Sequence, residues 1–262
     1  MSETLAHISD LHLGRDAAAS SAAEALCEAL LAANVDAVLV TGDVTHRGRR
    51  AELARFEQIF APLAPRLLVV PGNHDRLGDD AGAALMAGSR VQAERRGGLW
   101  AVRVDSTAHH NRSLIASHGA LDAEDLAALD AALDAAPPRA LTAVMLHHHL
   151  LPLPEESLGE HLAALLGWPH ADEVAGGEEL VEELRGRCDL VLHGHRHRAA
   201  EVTVPARAGR ALRVLNAGAT PELGRARLIT HEAGQVLAER WLAIAPRRRS
   251  AVGAAAPARA AA

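Results

Sequence analysis

The chain has 262 residues, 49% hydrophobic and 23% charged, which is enough to bury a sizeable core and argues against a disordered or fibrous protein. A formal net charge of -6 supplies no global basic field, so nucleic acid and anionic membrane surfaces are disfavoured as partners. Cys27 and Cys188, the only cysteines, lie far apart outside any C-x-x-C spacing and read as free buried thiols of a cytoplasmic protein.

In chain order, MSETLAHISD (1–10) has neither a basic n-region nor a long apolar run, so no signal peptide is expected; no later stretch has the ~18 continuous apolar residues of a membrane span. LAHIS (5–9) predicts a strand, and AAASSAAEALCEALLAAN (17–34) a helix with the 3.6-residue apolar repeat. DAVLVTG (36–42) is a strand, RRAELARFEQIFAPL (49–63) a helix stopped by Pro62 and Pro65, and RLLVVPG (66–72) a strand. GLWAVRVDS (98–106) is another strand, followed by the helix LDAEDLAALDAALDAAPP (121–138), with Asp122 as N-cap and a Pro-Pro stop. Then come the strand ALTAVMLH (140–147), the helix GGEELVEELRGR (176–187) and the strand CDLVLHG (188–194). β-like runs follow at 200–205, 210–217, 225–231 and 235–244. Alternating strands and helices predict one layered α/β domain over residues 1–244, with 245–262 as a disordered tail. The long connection at 148–175 reads as a lid or binding loop, or as core or dimer packing through Leu150, Leu151, Leu153 and Trp168.

Polar residues gather where the predicted strands end. Strand ends carry Asp10 and His12; Asp43, with His46 beyond; Asn73, His74 and Asp75; His147, His148 and His149; and His193, His195 and His197. In an open α/β sheet the C-terminal strand ends share one edge, where such folds bind ligands. Carboxylate and neutral imidazole suit Zn, Mn, Fe or Co. Asp10-x-His12 and His195-x-His197 are spaced to share one side of an extended segment. The ligand groups outnumber what one tetrahedral ion needs, so two ions sharing a carboxylate are expected.

The ordered series Asp10-Leu-His12, Gly42-Asp43, Gly72-Asn73-His74-Asp75, His147 and Gly194-His195-Arg196-His197 resembles the calcineurin-like metallophosphoesterases. The surrounding residues look most like the bacterial branch that includes cyclic-nucleotide and glycerophosphodiester phosphodiesterases. The resemblance implies a four-layer αββα sandwich with a dinuclear metal site at the C-terminal ends of the strands. It implies Asp10, His12, Asp43 and His197 on one divalent ion, and Asp43, Asn73, His147 and His195 on the other. It implies that His74 stays off the metals and acts on the substrate, with Asp75 orienting its imidazole or forming part of the turn. The triple histidine departs from the family pattern, so His148 stays an alternative ligand to His147. His46, His149 and Arg196 are candidates for the substrate pocket, His46 and His149 equally for solvent. The implied activity is hydrolysis of a small phosphodiester by attack of a metal-bound hydroxide. A phosphomonoesterase or a nucleotide- or lipid-linked pyrophosphohydrolase is the alternative, and a non-catalytic binding scaffold is a further one. A homodimer is compatible with the sequence.

Overall fold

A computed structural model of the chain describes residues 1–113, 117–151, 174–206 and 209–245. Most of the 148–175 connection, with Leu153 and Trp168, and nearly all of the 245–262 tail lie outside the described residues.

The first sheet has the order β11-β10-β1-β2-β3, built from β1 (Glu3–Ile8), β2 (Ala37–Thr41), β3 (Leu67–Val70), β10 (Arg225–Glu232) and β11 (Gln235–Ala243). The second has the order β4-β5-β6-β7-β9-β8, from β4 (Val91–Arg96), β5 (Leu99–Val104), β6 (Leu141–Met145), β7 (Leu190–His193), β8 (Ala199–Val204) and β9 (Leu212–Ala217). Strands β1, β2 and β3 run parallel, with β3 at one edge, as do β5, β6, β7 and β9; antiparallel strands form the other edge of the first sheet and both edges of the second.

Period-two alternation sorts each strand between two buried layers. Leu5, Leu39, Leu68 and Val70 of the first sheet meet Leu99, Leu141, Ala143, Met145, Leu190, Leu192 and Leu215 of the second. The opposite face of the first sheet, with Ile8, Val38 and Val40, packs under Leu26 and Leu30 of helix α1 (Ala17–Ala32) and Phe56 and Phe60 of helix α2 (Arg50–Phe60). Val102, Val144 and Val191 of the second sheet pack under Leu129 and Leu133 of the helix Ala123–Asp134 and Leu180 and Leu184 of the helix Gly177–Leu184. Three buried layers between four structural layers make the αββα sandwich. Leu150 and Leu151, at the start of the long connection, join the outer of these clusters.

Helix starts follow their caps. Asp16 accepts from the Ala19 amide at 2.7 Å, and Asp122 accepts from Glu124 and Asp125 at 2.9 Å each. Helix α2 begins without a side-chain acceptor at Arg49; instead the Glu52 carboxylate reaches back to the amides of Arg47 (2.8 Å) and Arg49 (3.3 Å). Pro62 and Pro65 fall in a 3-10 turn, Ala61–Arg66, that carries the chain into β3.

Candidate metal centre

The C-terminal ends of the parallel strands of both sheets open on one edge, and the loops leaving them are laced together. After β1 and β2 the amides of Asp10, His12 and Leu13 donate to the carbonyls of Gly42, Asp43 and Val44 at 3.0–3.1 Å. The amide of Gly194, after β7, donates to the carbonyl of His147, after β6, at 3.1 Å. Across the sandwich, His195 N donates to both Asp10 oxygens, at 3.3 and 3.2 Å.

Nine non-glycine residues among those described have positive φ, and five of them are Asp10, His12, Asp43, His195 and His197, at 46–73°. The left-handed region costs an L-residue roughly 1–2 kcal/mol. Such concentrated strain persists only where surrounding structure over-determines it, and it clusters at functional sites. It also corrects the expected geometry of the two pairs. Neither Asp10–His12 nor His195–His197 is an extended segment; each side chain is re-aimed by its own left-handed turn.

Two glycines are required by close approach. A Cβ on Gly72 would lie 2.2 Å from Asp43 Oδ1, and one on Gly194 would lie 1.9 Å from Ser9 Oγ. Gly72 thus gives clearance for the Asp43 carboxylate.

Asp10, His12, Asp43 and His197 each offer an atom within 4.8 Å of the others. His12 Nε2 lies 3.0 Å from His197 Nε2 and 3.8 Å from Asp43 Oδ2, while His197 Nε2 lies 3.6 Å from Asp10 Oδ1. A second set centres on His147 Nε2, which lies 3.1 Å from Asn73 Oδ1, 3.2 Å from His195 Nδ1 and 3.5 Å from Asp43 Oδ1. Asp43 therefore offers one oxygen to each set. His147 Nδ1 donates to the Thr41 carbonyl at 2.8 Å, which assigns its proton and turns the Nε2 lone pair toward the cluster.

The donor set fits divalent cations. Asp10 and Asp43 are both 1% exposed, and among the described residues neither pairs with an arginine. Buried carboxylates need a cation or compensating hydrogen bonds. The field seeks positive charge: burial pushes His147 down, yet Asp43 and then Asp10 outweigh it and raise the imidazole to about 9. Burial opposes charge on Asp43 too, but His147 and His12 hold it well below the usual carboxylate range. Asp10 is raised, by burial first and against the pull of His147. Burial lowers His12 to about 3, keeping it a neutral imidazole.

His74 sits at the rim, half-buried, its ring centroid 4.7 Å from that of His12. Its Nδ1–H donates to the His46 carbonyl at 2.8 Å, and its amide donates to Asp43 Oδ1 at 2.9 Å. The expectation that Asp75 orients His74 is corrected. Asp75 is fully buried and accepts from Val44 N, Thr45 N, Thr45 Oγ1 and Gly72 N at 2.6–3.2 Å, tying the loop after β2 to the loop after β3. It is the turn residue of the two readings. A buried carboxylate is drawn to several backbone N–H groups, and His74 has a backbone carbonyl in reach.

In a regular strand His148 would face away from His147 and His149, but the chain bends at 147–148. His148 does not turn away: its ring centroid is 4.9 Å from that of His195, while its Nδ1 meets Ser106 Oγ at 2.8 Å. His149 is 1% exposed, between the rings of His193 and His195 at 6.3 and 6.0 Å, so it is not a solvated loop residue. His46 and His74 line a cleft of ≈ 530 Å³ with Arg47, Arg49, Leu77, Gly78 and Arg112; Arg196 and His149 do not line it.

Supporting residues that strand and motif reading passed over are all fully buried. Thr220 accepts from Ser9 N at 3.0 Å, Ser9 Oγ donates to the same Thr41 carbonyl that holds His147, and Asn216 donates to the Gly194 carbonyl at 2.9 Å. Asn216, the penultimate residue of β9, pairs with His193 at the end of β7, so its place at the shared sheet edge was the available signal.

A family model described as Calcineurin-like phosphoesterase matches residues 3–199, from β1 to the start of β8. The chain belongs to the calcineurin-like phosphoesterase family. Among curated proteins, this chain is similar to a probable cyclic nucleotide phosphodiesterase of Vesicomyosocius okutanii, 43% identical over 42 residues, which are 16% of this chain and 18% of that protein. A second, from Ruthia magnifica, is 31% identical over 80 residues, 29% of this chain and 34% of that protein. The matches thus span about a third or less of those relatives. Two solved structures share the fold over 93% of this chain. They are a dimetal phosphatase from Danio rerio (TM-score 0.62, 12% identity, 99% of that chain) and a purple acid phosphatase from yellow lupin, Lupinus luteus (TM-score 0.58, 13% identity, 54% of that chain).

Proposed function

We propose that this chain, a metal-dependent phosphoester hydrolase by family, cleaves phosphodiester bonds of a small substrate at a dinuclear centre, with cyclic nucleotides and glycerophosphodiesters the leading candidates. The observation that carries the reading is the split of Asp43, whose Oδ2 faces His12 and whose Oδ1 faces His147. One carboxylate between two sets of ligand atoms is the arrangement a pair of bridged ions requires. The names of the two sequence relatives support the diester, and the name of the zebrafish neighbour supports two ions.

Asp10, His12, Asp43 and His197 would hold one ion, and Asp43, Asn73, His147 and His195 the other. Bound there, two divalent ions supply Lewis acidity toward phosphoryl oxygens and pull the pKa of water down toward ~7. The chain's own groups do the rest. Thr41, through its carbonyl, keeps the His147 proton on Nδ1 so that Nε2 remains a ligand atom. The His46 carbonyl keeps a proton on His74 Nδ1, which leaves Nε2 as the nitrogen available to a substrate oxygen. At the rim of the centre, His74 as the doubly protonated imidazolium, with its second proton on Nε2, can steady charge on the phosphoryl group or pass that proton to the departing alkoxide, leaving the Nδ1–H tautomer behind.

A substrate panel on Mn-loaded protein tests the reading, with bis(p-nitrophenyl) phosphate, p-nitrophenyl phosphate, 3′,5′- and 2′,3′-cyclic nucleotides and glycerophosphodiesters. Diesters should be turned over with higher kcat/KM than p-nitrophenyl phosphate. His74→Ala should retain its metals and lose about 10²–10⁴-fold in kcat. A preference for the monoester, or loss of a metal in His74→Ala, would overturn the respective assignment.

A further inference from the structure

The cleft beside His74 has a chemistry that a simple diester does not use. Its walls carry three guanidinium groups, Arg47, Arg49 and Arg112, and no carboxylate among the described residues that line it. In a chain of net charge -6, most arginines near acids are paired: Arg15, Arg55, Arg76, Arg90, Arg187, Arg213 and Arg227 each meet Asp or Glu. Among the described residues, the guanidinium groups of Arg47 and Arg49 have no carboxylate oxygen within 4.0 Å, the nearby Glu52 carboxylate being turned to their backbone amides, and Arg112 shares Asp80, at 3.1 Å, with Arg76. The guanidinium charges of Arg47 and Arg49 have no acid partner of their own, and an anion entering the cleft would meet both beside Arg112.

The loop that carries two of them is fixed. Glu52 holds the amides of Arg47 and Arg49, as described above. Gly48, between them, donates to Thr45 Oγ1 at 3.1 Å, and its carbonyl accepts from Asp79 N and Ala81 N, each at 3.1 Å. Its φ is +64°, and a Cβ there would lie 2.1 Å from the Leu77 carbonyl oxygen. Thr45 is in turn bound by Asp75. The backbone beneath the two arginines is therefore ordered before any ligand arrives, which lowers the entropic cost of binding. The same loop supplies His46, whose ring centroid is 5.6 Å from that of His74. An anion in the cleft would be a near neighbour of a phosphoryl group at the metal centre.

We propose that this cleft is a subsite for a second phosphate group of the substrate, held by Arg47, Arg49 and Arg112. The inference rests on the phosphodiesterase reading and narrows it: the preferred substrate is a small phosphodiester with an additional phosphate on the part that extends past His74. Guanidinium forks match phosphate oxygens bidentately, which distinguishes such a site from a general cationic surface.

Binding tests this without relying on turnover. Thymidine 3′,5′-bisphosphate and thymidine 5′-monophosphate differ by one phosphate. On Mn-loaded protein, calorimetry should give the bisphosphate a Kd at least about tenfold lower, equivalent to about 1.4 kcal/mol. The double variant Arg47→Ala/Arg49→Ala should bring the two Kd values within about twofold and leave the monophosphate Kd nearly unchanged. Equal Kd values in the wild type, or a bisphosphate advantage that survives in the double variant, overturn the proposal. Hydrolysis of bis(p-nitrophenyl) phosphate, measured in parallel, tests the diester reading separately. Its absence together with an intact, arginine-dependent bisphosphate preference would discard the diester and keep the subsite.

Discussion

At the scale of single residues, neighbours in one motif have divergent roles. His74 and Asp75 are adjacent, yet one faces the cleft and the other is buried under it. Asp75→Asn would place an amide NH2 among donors that now point at a carboxylate. We expect a loss of about 2–4 kcal/mol, since each hydrogen bond to a charged group contributes roughly 1.5–3 kcal/mol and some can be re-formed. The folded variant should keep kcat within about tenfold. Thermal unfolding with parallel kinetics checks it; an unchanged Tm with a collapsed kcat would restore Asp75 as an orienting residue. The triple histidine separates similarly. His147→Ala removes the atom on which three contacts converge and should cost one ion per chain. His148→Ala leaves Ser106 without its imidazole partner and should cost stability while both ions stay. His149→Ala opens a buried gap beside His193 and should likewise keep both ions. Metal stoichiometry on the purified variants decides it; loss of an ion in His148→Ala alone would move the ligand by one position.

At the scale of elements, the site depends on how closely loops of the two sheets approach. Gly194, after β7, lies against Ser9, after β1, with no room for a methyl group. Asn216 and Thr220 hold the two sides of that contact from β9 and the turn after it. Gly194→Ala should therefore force the loops apart, shift His195 off Asp10 and weaken metal affinity by an order of magnitude or more. The sheets themselves, buried between their helices, should stay folded. Far-UV circular dichroism with a metal titration tests this; wild-type affinity in Gly194→Ala would mean that the edge is looser than its packing indicates.

For the whole molecule, the buried histidines set the dependence of stability on pH. His7 and His148 lie well below the ordinary imidazole range and His193 at about 4, burial being the first cause in each. An unfolded histidine takes its proton near 6.5, so the unfolded chain binds more protons between pH 6.5 and 4 and stability falls on acidification. Asp75 works the other way. Burial and then Asp43 raise it to about 6, so its ionisation costs stability as pH rises from about 4 to 6. His12, at about 3, and Asp43, held low, add to the acid-side loss, and Asp10, raised, joins Asp75 against it; the lowered groups outnumber the two raised carboxylates, so the acid-side loss dominates. In metal-free protein His147, at about 9, contributes stability that is complete below pH 6.5 and is lost as pH rises toward 9. Stability of the metal-free protein should therefore peak near pH 6.5. Each pH unit between folded and unfolded titration is worth about 1.4 kcal/mol. A bound ion takes the place of the His147 proton and should abolish the alkaline decline. Urea midpoints from pH 4 to 9, in chelator and in Mn, are the measurement; identical alkaline limbs would rule out His147 as the group responsible.

Much of the architecture was legible along the chain because it is local. The apolar period distinguished helices α1 and α2 from the buried parallel strands, and the clustering of Asp, Asn and His at strand ends located the metal-type residues before any fold was known. The edge strand β4, with the polar run VQAERR, was not legible, since an exposed edge has no apolar pattern to read. The resemblance, in turn, carried the assignment of residues to two ions. What only the tertiary structure decided was orientation. Left-handed turns at five of the polar residues, the Thr41 carbonyl under His147, the His46 carbonyl under His74 and the use of Asp75 as a loop staple all depend on which backbone groups come within about 3 Å once two sheets meet. A sequence states which side chains stand at a strand's end; the direction in which each points is set by hydrogen bonds to atoms far away in the chain.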